Sequence, residues 1–341
     1  MKAHKEDLLN DLTICIFTLN RKFDLQRLVK YLDAAGVKVF ILDASNEPII
    51  LENSNNFHYI HVPNMPLQAR LSKFSELVTT KYILLSPDDD FWAINGLIET
   101  VHFLNTNPDY ASAQGLRIRF FDFPFFHWIP DYVNQMELNY SQDDKTERLF
   151  AMATSMHYIY SVIRLSEYVK ITKCIQNITS VNRNSFMMNE LIFNYILPIL
   201  GKHRLLPVFF SARKSHYYEG CDVNFDLWVN DQSDVGAINF RKNIVELYRN
   251  ELNVSELEAI SVFQQITKEF TRSKPVASDK FKAIKKYLRI FVTNTRLREF
   301  RKFSKTKYLC FYRLLITNKF FFIFIKDTGL IKKFLNKNRI D

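Results

Sequence analysis

The chain has 341 residues, 46 Lys+Arg against 36 Asp+Glu for a net charge of +10, and 47% apolar residues. That length allows one large domain or two ordinary ones, and the apolar share excludes wholesale disorder. Four cysteines (Cys15, Cys174, Cys221, Cys310) lie far apart with no Cys-x-x-Cys, which excludes a disulfide scaffold and a cysteine zinc finger and fits a reducing compartment.

Residues 12–17 form a short apolar run rich in Ile and Phe, the pattern of a buried strand. The stretch 12–19 is too short to span a bilayer, and Glu6, Asp7 and Asp11 precede it instead of the basic flank of a signal peptide, so neither a membrane span nor secretion is expected. Leu25, Leu28, Val29 and Leu32 carry helical spacing, and residues 37–42 give a second strand. A third runs over 59–62 and is ended by Pro63 and Pro66. Leu67, Leu71, Phe74 and Val78 share one helix face, residues 82–85 form a fourth strand, and 97–104 is helical up to Pro108. Strand–helix alternation with short links predicts an α/β fold: an open, mostly parallel sheet with flanking helices. No repeat of 20–50 residues interrupts it.

In such sheets ligands bind beyond the carboxyl ends of the strands. There the sequence places Thr18-Leu19-Asn20-Arg21, Asp43-Ala44-Ser45-Asn46 and Ser86-Pro87-Asp88-Asp89-Asp90. Only 7 residues are glycine, where average usage of about 7% would give roughly 24. Neither Gly-x-Gly-x-x-Gly nor Gly-x-x-x-x-Gly-Lys occurs, so no glycine loop holds a phosphate. The aspartate triplet offers another route. Adjacent carboxylates repel unless a cation compensates, and Mg²⁺ or Mn²⁺ on one or two of them would bridge to a diphosphate. If the chain stays extended, Asp88 and Asp90 point one way and Asp89 another. An exposed acidic turn is the plainer reading of the same residues.

Four segments together resemble the bacterial family-2-type glycosyltransferases. They are the opening strand and Thr-x-Asn-Arg turn (12–21), the second strand with its Asp-x-Ser turn (39–45), the arginine-bearing helix start Pro66-Leu67-Gln68-Ala69-Arg70, and the strand with its Asp-x-Asp motif (82–90). Order and spacing agree over residues 12–115. The resemblance implies a GT-A fold and transfer of a sugar from a nucleoside-diphosphate sugar, with a UDP-type donor expected. By that resemblance Thr18 and Asp43 hold the base, Arg70 sits near base or ribose, Asp88 lies toward ribose and metal, and Asp90 binds the Mn²⁺ or Mg²⁺. Asn20, Arg21, Ser45 and Asp89 complete the expected nucleotide-sugar site. Thr18 also suits a turn cap, Asp43 an Asx-turn, and Arg70 a solvent-exposed helix position.

Inverting transfer needs a carboxylate to accept the acceptor's hydroxyl proton. Met187-Met188-Asn189-Glu190 opens the apolar segment 191–200, which makes Glu190 the candidate base; a glutamate in a first helical turn also suits the dipole alone. Asp143, Asp144 and Glu147 are weaker candidates. His216 could complete the metal site, as in some GT-A enzymes, or be structural. Arg213 and Lys214 could meet a diphosphate or line a solvated loop. Aromatics crowd 120–128, either as core and lid or as a sugar platform, and Trp128 is the candidate acceptor contact. The Gln-x-x-Arg-Trp motif of processive family-2 synthases is absent, which favours addition of one sugar or few. Residues 241–271 read as packing helices, with Ser255 and Glu258 as a capping box.

The charge is uneven. Residues 275–341 hold 18 Lys+Arg and 4 Asp+Glu, against 28 and 32 in the rest. Three units follow: a GT-A-like domain over 1–240 (nucleotide-sugar half 1–115, acceptor half 116–240), a helical packing segment 241–274, and a basic, aromatic-rich helical tail 275–341. The tail reads first as a helix lying on an anionic membrane, with nucleic-acid binding less favoured and a solvated hairpin the alternative. The expectation is a metal-dependent, inverting transferase acting on a glycan or lipid-linked acceptor in surface polysaccharide synthesis. It would be cytoplasmic or peripheral at the inner face of the plasma membrane. A sugar-nucleotide pyrophosphorylase, or a non-catalytic glycan- or nucleic-acid-binding protein, are the alternatives.

Overall fold

A computed structural model of the chain describes residues 7–51, 54–121, 127–130, 139–153, 158–175, 178, 185–214 and 225–272. The tail 275–341 lies outside them.

Among the described residues nine strands form one sheet. They are β1 (Leu12–Thr18), β2 (Lys38–Asp43), β3 (Phe57–His61), β4 (Tyr82–Pro87), β5 (Phe91–Trp92), β6 (Tyr110–Phe121), β7 (His127–Pro130), β8 (Val162–Arg164) and β9 (Lys202–Lys214). Their order is β3-β2-β1-β4-β8-β6-β9-β5, with β7 on β6. Strands β1, β2, β3, β4, β6 and β9 run one way, while β5, β7 and β8 oppose them. The expected open, mostly parallel α/β sheet is therefore present. β1 is buried along its whole length; its Leu, Ile and Phe side chains each contribute about 1.5–3 kcal/mol.

The connecting helices follow the periodicity read from the sequence: α1 (Lys22–Asp33), α2 (Leu67–Leu77) and α3 (Ile94–Thr106). Later come α4 (Lys145–Ala153), α5 (Leu165–Ile175), α6 (Ser185–Leu200), α7 (Phe225–Asn230), α8 (Val235–Leu252) and α9 (Glu256–Arg272). From β1 the chain moves to β2 on one side, and from β3 it returns to β4 on the other. Right-handed crossovers then place α1 and α2 on opposite faces. α2, α5, α6, α8, α9 and α4 pack on one another as a helical layer. The Tyr168 hydroxyl of α5 donates to the Leu71 carbonyl of α2 at 2.7 Å. The expected capping box holds: the Glu258 carboxylate accepts from the Ser255 N–H and hydroxyl, both at 2.8 Å. No helix among the described residues is long and apolar enough to cross a membrane.

The acidic turn after β4 is braced from beneath. Trp92, fully buried, donates from Nε1 to Ser86 Oγ at 2.7 Å, and the Tyr31 hydroxyl donates to the Trp92 carbonyl at 2.7 Å. α3 then lies tight on β9. The Ala93 N–H donates to the Phe210 carbonyl at 2.8 Å, and a Cβ on Gly96 would come 2.0 Å from the Phe209 carbonyl oxygen. Alanine is the better helix former by about 1 kcal/mol, but overpacking against backbone costs about 1–3 kcal/mol. Gly96→Ala is therefore expected to lower the urea midpoint at unchanged m-value; an unchanged or raised midpoint would show that α3 and β9 are not in close register.

Candidate functional site

The strand order changes direction between β1 and β4, so their carboxyl ends flank the crevice where an α/β sheet takes its ligand. Phe17 pairs with Pro87, which sets Thr18 beside Asp88. The Thr18 hydroxyl donates to Asp88 Oδ2 at 2.6 Å, and both residues are buried. The turn after β1 is also tied to the turn after β2. Asn20, in the left-handed region at φ 57°, donates from its N–H to Ser45 Oγ at 2.7 Å and accepts at Oδ1 from the Asn46 N–H at 3.3 Å.

Asp43 adopts the Asx-turn geometry. Its Oδ1 accepts from the Ser45 N–H at 2.8 Å; its Oδ2 accepts from the Tyr59 hydroxyl at 2.6 Å and the Ile49 N–H at 3.3 Å. Fully buried, it holds the loop 44–49 in shape. The Ser45 carbonyl in turn meets His61 Nε2 at 2.8 Å. Tyr59 is pushed up to about 12, chiefly by burial and then by its bond to Asp43.

Arg70 is not the exposed helix residue its pattern allowed. It is buried, and its Nη1 donates to the Thr18 carbonyl at 2.8 Å. Burial lowers its pKa while the charges of Asp43 and Asp88 raise it. The guanidinium thus sits within electrostatic reach of carboxylates at the ends of two strands.

The triplet departs from the extended alternation. β4 ends at Pro87 and the chain turns; Asp88 and Asp89 share one partner, and Asp90 bonds the end of β9. Arg21 Nη1 lies 2.6 Å from Asp89 Oδ2 and 3.3 Å from Asp88 Oδ1. Asp90 Oδ1 accepts the Lys214 N–H at 3.1 Å, with the Arg213 and Arg117 charges near enough to favour its ionised form. Both guanidinium groups also lie over the Tyr160 ring, at 5.6 Å for Arg117 and 5.8 Å for Arg213. Burial, and then the Asp89 charge, push Asp88 up to about 6 and raise Asp90 as well.

Arg213 and Lys214 are thus part of the site, at the end of β9. Arg117, Tyr160, Tyr59, His61 and Asp24 join it without having been picked from the sequence. Arg117 had a signal: Leu116-Arg117-Ile118-Arg119-Phe120 alternates apolar and basic residues, and this is the body of β6.

Other candidates fall away or lie outside. Asp144 Oδ1 accepts the Glu147 N–H at 2.8 Å across the start of α4, and Asp143 pairs with Lys202 at 2.6 Å. Lys202 opens β9 and Lys214 closes it, so these acids stand at the opposite end of the strands, on the order of 30 Å away. α6 begins at Ser185, which puts Glu190 beyond the first turn; its side chain lies outside the described residues. His216 does too. Trp128 is on β7, with its backbone paired to Phe120, and its side chain is likewise outside.

Among the described residues no group of three or more His, Cys, Asp or Glu is placed to hold a metal ion. The donors still suit Mg²⁺ or Mn²⁺, which are usually held by one or two carboxylates plus substrate phosphates. Arg21 makes its short contact to Asp89 and its long one to Asp88, and burial first, then the Asp89 charge, raises the pKa of Asp88 and Asp90.

No family model matches the chain, and no curated protein matches it. Among solved structures, S. aureus TarS in complex with UDP-GlcNAc aligns at a TM-score of 0.49 and 12% identity, covering 77% of this chain and 72% of that one. The same protein without that ligand gives 0.46 and 10%, covering 77% and 71%. A longer TarS chain gives 0.44 and 9%, covering 79% and 50%.

The raised pKa of Asp88 has a cost in stability. A carboxyl held above its usual value of about 3.9 contributes stability that is complete below pH 4 and is lost as pH rises through 6. At pH 7.5 the penalty is on the order of 3 kcal/mol. Asp88→Asn is therefore expected to melt several degrees above the wild type at pH 7.5, with the gap shrinking toward pH 4. A lower melting temperature at pH 7.5 would contradict a charge-starved Asp88.

Proposed function

We propose that this chain is a glycosyltransferase that takes a nucleoside-diphosphate sugar, of the UDP type, and passes the sugar to a hydroxyl acceptor. The observation that carries this reading is the buried Thr18–Asp88 bond across the β1/β4 crevice, with a second acid on each side and cations from α1, α2, β6 and β9 around it. The four sequence segments that resemble family-2-type glycosyltransferases end at these same residues.

On this reading Thr18, Ser45 and the loop shaped by Asp43 face the base. Arg70 fixes the Thr18 carbonyl from beneath. Arg21, Arg213 and Lys214 meet the diphosphate. Acids and cations at the rim are near balance before any ligand arrives, so a diphosphate is expected to come with its own counter-ion. Asp88 and Asp90 are the proposed ligands of that Mn²⁺ or Mg²⁺. When bound, such an ion neutralises charge on the departing diphosphate.

Transfer would proceed with inversion. The acceptor oxygen bonds to the anomeric carbon as the nucleoside diphosphate leaves, and a carboxylate, with Glu190 the proposed one, takes the hydroxyl proton. A glycan or lipid-linked acceptor in surface polysaccharide synthesis suits the basic tail 275–341, which would rest on the inner face of the plasma membrane. A cytoplasmic location follows from that reading.

The test is donor consumption with and without EDTA, in wild type and Asp90→Ala. EDTA and the substitution are each expected to cut turnover by about a hundredfold or more. Full activity in Asp90→Ala would remove this acid from the reaction and with it the metal assignment.

A further inference from the structure

Asp24 belongs to none of the motifs, yet it sits where the site's cations meet. It is the third residue of α1. Its Oδ1 accepts from Arg27 Nη2 at 2.9 Å and from Lys214 Nζ at 3.0 Å. The three side chains are only 14–22% exposed, so the grouping is screened less than an open surface pair. Arg21 feels the same carboxylate.

Each tie leads back to the acidic turn. Lys214 reaches Asp24 with its ammonium while its own N–H donates to Asp90. The Arg27 guanidinium lies 5.3 Å over the ring of Phe91, the residue after Asp90. Arg21 bridges Asp88 and Asp89. Remove the charge on Asp24, and three cations, from the turn before α1, from α1 and from β9, lose the anion between them and repel.

We propose that Asp24 is a positioning residue, holding the Lys214 ammonium at the diphosphate end of the crevice before the ligand arrives. This rests on the reading of the site as one for a nucleoside diphosphate. Preorganised charge costs no ordering on binding. Loosening it weakens binding of the diphosphate but leaves the nucleoside's contacts, made on Thr18 and the 44–49 loop, untouched.

The experiment measures dissociation constants for UDP by calorimetry and for uridine by competition, in wild type, Asp24→Asn, Lys214→Gln and the double variant. Each single variant is expected to weaken UDP about tenfold with uridine unchanged. The double variant is expected to be no weaker than the worse single, because the two groups act as one. Multiplied losses in the double variant, or an equal loss for uridine, would overturn the inference and leave Asp24 a staple between α1 and β9. Wild-type UDP binding with unchanged affinity in Asp24→Asn would overturn it alone, whereas no UDP binding by the wild type would take the proposed function down with it. Should Asp24→Asn fail to fold, Lys214→Gln decides: a UDP-selective loss supports the proposal and an equal loss for uridine refutes it.

Discussion

Four carboxylates, Asp43, Asp88, Asp89 and Asp90, end up buried at the ends of two neighbouring parts of one sheet. Such a gathering stands only if enough donors and cations are packed against it. Asp43 is met by backbone N–H groups and a phenol, Asp88 by a hydroxyl, Asp89 by Arg21 and Asp90 by the end of β9. Arg70 lies among them, its carbonyl partner on β1. Elements far apart in the chain are therefore committed to one place by charge. The fit is incomplete, since Asp88 and Asp90 keep raised pKa values.

Much of this was legible beforehand. β1, β2 and β4 announced themselves as apolar runs, and α1, α2 and α3 as periodic ones, because one buried face dictates each pattern. The rule that ligands gather beyond the carboxyl ends of strands then picked Thr18, Asn20, Arg21, Ser45 and Asp88, which do come together. What the pattern could not supply was side-chain direction in a turn. Extended geometry assigned Asp89 to the far side from Asp88, whereas the turn after Pro87 sets both on Arg21.

The second half of the site depends on β9, and no local pattern reveals which strand lies beside which. Lys214 and Asp24 are 190 positions apart, and nothing in either segment marks the other. The same blindness made Asp143 and Asp144 plausible, since sequence does not say at which end of the strands a loop emerges; Lys202, at the start of β9, does. Arg70 was placed near base or ribose by the resemblance alone. A lone arginine on a helix carries no sign of burial until the carboxylates facing it are known.

The central claim is that the β1/β4 crevice, with its interleaved acids and cations, is where a nucleoside diphosphate binds. Hydrogen–deuterium exchange of the intact chain, with and without UDP and Mn²⁺, addresses it most directly. The account predicts slowed exchange confined to the peptides covering 18–24, 43–49, 86–92 and 211–214. Protection centred elsewhere, or none at saturating ligand, would contradict it.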